Sequence, residues 1–188
     1  MAAMEAAYLT GKLLLAMPGM GDPRFDHAVI AMVGHDGEGA LGVGIGALRQ
    51  GPGLHAMLRG LDIDPGQAPD CPIHYGGPVE VQRGFVLHSN DWEGPGTIEA
   101  APLCSLSTSL EVLKAIAAGE GPRRFLIALG YAGWGAGQLD GEMRRHGWQA
   151  VDGSQELLWE VPAEARWKAC WRTVGIDPAL LSSQTGRA

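Results

Sequence analysis

The chain lacks most of the signatures that assign a reaction or a compartment. It has only three cysteines, Cys71, Cys104 and Cys170, too far apart to form a C-x-x-C pair, so neither a zinc site nor a disulfide framework is expected. Buried thiols in a reducing compartment fit that spacing. Basic residues are few as well: 14 Lys and Arg stand against 21 Asp and Glu, for a formal charge of −7. Phosphate neutralisation needs clustered cations, so direct nucleic-acid binding is not expected. The densest basic positions are two doublets, Arg123 with Arg124 and Arg144 with Arg145. They read as solvated ends of elements, with a small positive rim as the alternative. Long apolar runs are missing too. The run at 13–17 is short, follows no basic region and meets Pro18 and Gly19, which excludes a signal-peptide core. No segment has the length to span a bilayer. The expectation is a cytoplasmic protein without a membrane partner.

Catalytic motifs are equally sparse. Gly130 and Gly135 have the spacing of a P-loop, but Ala136 and Gly137 stand where Lys and a hydroxyl residue belong. Gly133, Gly135 and Gly137 give G-x-G-x-G rather than the dinucleotide fingerprint G-x-G-x-x-G. There is no G-x-S-x-G elbow, and the six histidines show no H-E-x-x-H spacing. No cofactor or metal is expected. His35 lies in a glycine-rich link and His88 ends a strand, so either could face a cleft and exchange a proton near neutral pH. A lone strand-end histidine is more often a surface residue or an internally satisfied one.

What is present is organised around residues 124–148. An apolar run with strand character leads into Gly130, Gly133, Gly135 and Gly137, and a short amphipathic helix pattern follows from Gln138. A strand that bends through glycines into a helix brings backbone N–H groups to one point, where an anion or carbonyl oxygen can be held. Trp134, lying between glycines, either plugs the core or lines a pocket. The candidate ligand site is therefore Gly133, Trp134, Gly135, Ala136, Gly137 and Gln138, facing the turn of Tyr75, Gly76 and Gly77, with His88 and His35 as candidate acid–base groups. The competing structural reading is that these glycines permit only tight packing.

The remaining pattern is one of short strands. Strands are expected at 13–16, 25–34, 40–45, 73–75, 83–88, 97–100, 103–106 and 148–151. In the third, Gly42, Gly44 and Gly46 alternate with Leu41, Val43 and Ile45, which leaves one face bare for close approach of a ligand or another backbone. Helices are expected from Leu54, from Thr108 as a capping box with Glu111, and from Pro162, where Trp167, Cys170, Trp171 and Val174 recur at helical spacing. Residues 177–181 suggest one more turn. The polar residues 182–188 read as a mobile tail. Neighbouring strands that outnumber helices indicate an α+β fold in a single domain.

Several stretches together resemble the YqgE/AlgH family of bacterial proteins: HDGEGALG at 35–42, IHYGGPV at 73–79, RGFVLHS at 83–89 and GPRRFLIALGYAGWGAGQL at 121–139. The resemblance spans nearly the whole chain. It implies an α+β fold in which a bifurcated mixed sheet curls into a pseudo-barrel with flanking helices. It also implies a cytoplasmic protein with no demonstrated enzyme activity, one branch of the family carrying a transcriptional-regulator label. Gly46, Ala47 and Leu48 depart from the family pattern, which has Asn, a basic residue and Pro there. The leading functional expectation is a non-catalytic module that binds a small ligand or a protein partner and acts at most indirectly on transcription. The alternative is an enzyme for a small anionic or acyl substrate.

Overall fold

The computed structural model describes residues 8–181, and the tail at 182–188 lies outside them. In chain order the strands are β1 (Lys12–Ala16), β2 (Val29–Asp36), β3 (Gly39–Gly44), β4 (Ile73–Tyr75), β5 (Val79–His88), β6 (Ile98–Ala100), β7 (Cys104–Ser107), β8 (Phe125–Gly135) and β9 (Trp148–Asp152). The helices are α1 (Leu54–Gly60), α2 (Leu110–Ala118), α3 (Gln138–Arg144), α4 (Gln155–Trp159), α5 (Ala163–Thr173) and α6 (Pro178–Leu181), and a 3-10 turn covers Pro23–Phe25. The strands form one sheet in the order β6-β7-β5-β8-β3-β2-β1-β9. All of these pairs are antiparallel; β4 lies off that path, parallel to β8, and makes the sheet mixed. The two ends curl towards each other without pairing. The Gln155 side chain past the end of β9 donates to the Leu103 carbonyl beside β6 (2.8 Å), and Gly153 lies against the Leu103 side chain. The result is a half-barrel with helices around it, the fold class that the resemblance implied.

The long strand β8 divides the sheet. Along one edge it pairs with β5; along the other it pairs first with β4, at Ile127, Ala128 and Leu129, and then with β3, from Ala132 to Gly135. The fork falls at Gly130, whose φ of +81° favours glycine. Side-chain alternation shifts by one residue there. Leu126, Ala128 and Tyr131 face the barrel interior, whereas Ile127 and Leu129 face α1 and α2, and Ala132 and Trp134 face the layer under α3. One glycine in the left-handed conformation therefore lets a single strand serve three clusters.

Both faces of the sheet are covered, which explains the unbroken apolar reading of β1. Leu13 and Leu15 enter the interior with Val29, Leu87, Leu106 and Trp171, while Leu14 and Ala16 join Ile30, Met32 and Trp148 on the opposite face. A third cluster packs Leu54, Leu58, Val112 and Ile116 against Val86 and Ile127. The helix expected from Thr108 forms, but its N-cap is Ser109 and the serine side chain makes no capping bond. Its buried face is Val112, Leu113 and Ile116, and Leu110 is exposed. In α5, Trp167, Cys170 and Trp171 are buried and Val174 is exposed. Helix α4 was not expected; its signal is Ser154, whose hydroxyl accepts from the Leu157 amide (3.1 Å).

Candidate ligand pocket at the end of the forked strand

The segment expected to be a glycine loop is mostly strand. β8 continues through Gly133, Trp134 and Gly135, which oppose Leu41, Ala40 and Gly39 of β3. Gly39 is needed there because a Cβ on it would lie against the Trp134 carbonyl. The Gly135 amide donates to the Gln138 side-chain oxygen at 3.0 Å. Ala136 and Gly137 are exposed and form the short link to α3, with Gly137 at φ +70°. The backbone of this segment thus takes part in the sheet along its β3 edge and in the helix entry.

Those side chains line an open cavity of about 390 Å³. Its aromatic wall is Phe25, Trp134 and Trp148. Trp148 stands edge-on to both partners, 5.4 Å from Phe25 and 6.0 Å from Trp134 between ring centroids. Glu142 of α3 organises the wall. Its Oε2 accepts both indole N–H groups, from Trp134 at 3.0 Å and Trp148 at 2.8 Å, and its Oε1 accepts from the Gln138 amide at 3.1 Å. All three donors are neutral, so the carboxylate has no counter-charge within ion-pair distance among the described residues. Arg24 reaches the same cavity but is closed onto Asp22 (2.8 Å) and lies over the Phe25 ring. Arg145 borders the cavity with no acidic partner among the described residues.

The structure separates the remaining candidates. Gly76 and Gly77 are buried in the fork, where the chain leaving β4 crosses β8 backbone on backbone. The Gly44 amide donates to the Gly76 carbonyl at 2.7 Å, and the Gly76 amide to the Leu129 carbonyl at 2.8 Å. The bare face of β3 is thus filled at Gly44 by this backbone and at Gly42 by the Ile30 side chain. Tyr75 with Gly76 and Gly77 borders only a small recess of about 40 Å³, although the next residues, Pro78 and Val79, do reach the main cavity.

Neither histidine shares the cavity. His88 pairs with Phe125 at the far end of β8, roughly 30 Å along the strand from Gly135. It is fully buried; its Nδ1–H donates to the Ser89 carbonyl (2.8 Å), and its Nε2 accepts from the Ser107 hydroxyl (2.8 Å). Burial pushes its pKa below the usual value. His35 is also buried, with Nδ1 accepting the Leu9 amide (3.1 Å) and Nε2 facing Asp140 (3.5 Å). Both rings have their nitrogens engaged inside the protein. The arginine doublet at the start of β8 is paired as well, Arg124 with Glu160 at 2.8 Å and Arg123 with Asp91 at 3.7 Å.

Sequence reasoning missed Glu142, Trp148 and Phe25 at the site, and named Arg145 only within a doublet read as a solvated end or a positive rim. The i, i+4 step from Gln138 to Glu142 was the available signal for one of them. A larger cavity, about 710 Å³, lies elsewhere beside α5 and α6, bordered by His27, Trp167, Lys168 and Arg172. It contains none of the candidates, and the Trp167 ring there is already in contact with His27 (4.1 Å between centroids).

A forked half-barrel with a ligand-sized, aromatic-walled cavity at the end of its central strand defines the class structurally. The chain belongs to the AlgH-like family, whose family model matches residues 13–179. A UPF0301 protein of Novosphingobium aromaticivorans is 63% identical over 184 residues, covering 98% of this chain and 99% of that protein. Another, from Rhodospirillum rubrum, is 44% identical over 182 residues, covering 96% and 95%. The solution structure of the AlgH protein from Pseudomonas aeruginosa matches with a TM-score of 0.78 at 36% identity, covering 100% of both chains. Among the described residues no helix is long and apolar enough to cross a membrane.

Proposed function

We propose that this protein is a non-catalytic small-ligand-binding module of the cytoplasm, whose occupied state is read by a protein partner and so acts only indirectly on transcription. One observation carries the reading: Gly133, Trp134 and Gln138 meet Phe25, Glu142 and Trp148 around an open cavity whose volume suits a metabolite. The buried, internally bonded state of His88 and His35 favours binding over acid–base chemistry. The test is to titrate a metabolite library into isotope-labelled protein and follow the tryptophan indole N–H signals. A ligand of this cavity moves those of Trp134 and Trp148. A library whose hits move only the Trp167 signal refutes this site in favour of the cavity beside α5, and a library without hits refutes the reading.

A further inference from the structure

The charges around the cavity point to a ligand class. Glu142 and Arg145 are three residues apart, a spacing that places them on one side of the α3 end and commonly produces an ion pair. Here they do not pair, because Glu142 is turned inward and held by the Trp134 and Trp148 indoles. A carboxylate has about four acceptor positions. Three are filled, two on Oε2 and one on Oε1, which leaves one on Oε1. Arg145 keeps its donors free of acidic groups among the described residues. The cavity therefore presents an uncompensated negative group and an uncompensated positive group, beside apolar and aromatic surface from Met20, Phe25 and Trp148. The other two charged groups on its wall, Asp22 and Arg24, neutralise each other.

Building on the cavity proposed above, we infer that the ligand is a zwitterion: a free α-amino acid with an apolar or aromatic side chain. Its ammonium donates to Glu142 Oε1, its carboxylate takes the Arg145 guanidinium, and its side chain lies along the aromatic wall. A simple anion would meet Arg145 but bring its charge next to Glu142. A simple amine would do the reverse. A molecule that carries both an ammonium and a carboxylate gives each residue its opposite charge.

Isothermal titration with L-phenylalanine, 3-phenylpropanoate and phenethylamine separates the contributions, since the last two lack the ammonium and the carboxylate respectively. L-Phenylalanine is expected to bind and to move the Trp134 and Trp148 indole signals. Each truncated probe is expected to bind about tenfold or more weaker, the loss that follows removal of one charge-assisted hydrogen bond. Arg145 is exposed, so Arg145→Gln should fold normally; it should weaken L-phenylalanine to the level of phenethylamine while leaving phenethylamine unaffected. If 3-phenylpropanoate binds as tightly as L-phenylalanine and moves the same indole signals, the zwitterion assignment is overturned and the cavity reading stands. If none of the three moves those signals while other metabolites do, the assignment again falls alone. If no compound of any class moves them, both fall.

Discussion

Gly76→Ala tests whether the glycine pair after β4 is architecture rather than a ligand-facing turn. A Cβ at Gly76 would sit 2.1 Å from the Gly130 carbonyl oxygen and 3.1 Å from the Leu129 carbonyl oxygen. Both obstacles are backbone, so no side chain can swing away. Ordinary contact requires the crossing strands to part by more than about 1 Å. That movement breaks the Gly76 amide bond to Leu129 (2.8 Å) and the Gly44 amide bond to Gly76 (2.7 Å). Each bond contributes about 1 kcal/mol when formed, and its buried groups cost about 1–3 kcal/mol when left unpaired, so the substitution should destabilise by about 3–5 kcal/mol. That is a large fraction of a domain's total stability. Gly135→Ala is the matched control: a Cβ there meets nothing nearer than the Gln138 Oε1 at 3.9 Å, and its change should stay within about 1 kcal/mol. Urea denaturation of the three proteins measures both effects. A Gly76→Ala protein within about 1 kcal/mol of wild type at an unchanged m-value would refute the account of the fork.

His74 is held neutral, donating from Nδ1 to the Ile127 carbonyl (3.2 Å) and accepting the Arg166 guanidinium at Nε2 (2.9 Å), and burial with that neighbouring cation lowers its pKa from 6.5 to about 4. The unfolded chain therefore binds the proton more readily: stability from this group is complete above about pH 6.5, is lost as pH falls towards 4, and should decline by about 3 kcal/mol. Denaturation midpoints at pH 7.5 and 4.5 should show this decline, and His74→Gln should flatten most of it. Arg166 also donates to the carbonyls of Leu157, Leu158 and Ile45. Arg166→Met should therefore cost about 3–5 kcal/mol in the same assay, with Arg166→Lys restoring little because an ammonium cannot reproduce the planar fork. Burial raises the Cys104 thiol to about 12 and the Cys170 thiol to about 11, so in native protein both should resist a thiol reagent that modifies them rapidly after unfolding.

Much of the fold was legible because each signal had a single physical cause. Gly119 ends α2 in the left-handed conformation that a helix stop requires, and the apolar run of β1 marks a strand buried on two faces. The bare face of β3 correctly announced a close approach. The site was harder, because glycine density has two causes that look alike in a sequence. Gly133 and Gly135 read as a loop, yet they lie in the β8–β3 ladder, where Gly39 is pressed against the Trp134 carbonyl. Trp134, which the sequence leaves open between plug and pocket wall, is 7% exposed and borders the cavity. Its partners Glu142 and Trp148 follow it in the chain and are joined to it through α3, whereas Phe25 comes from a distant segment that only the fold brings alongside.

Glu142 is the side chain that ties the walls of the proposed pocket together. The Gly133–Trp134–Gly135 segment pairs with β3 along one edge, and α3, only seven residues long, follows it. The Glu142 carboxylate fixes two indoles from strands that do not pair with each other, β8 and β9, and ties both to α3. Neutral donors orient Glu142 without cancelling its charge, whereas an arginine in their place would have done both. The wall is therefore ordered in advance and remains charged. Less ordering is then required on association, and a complementary charge on the ligand still has a partner to meet.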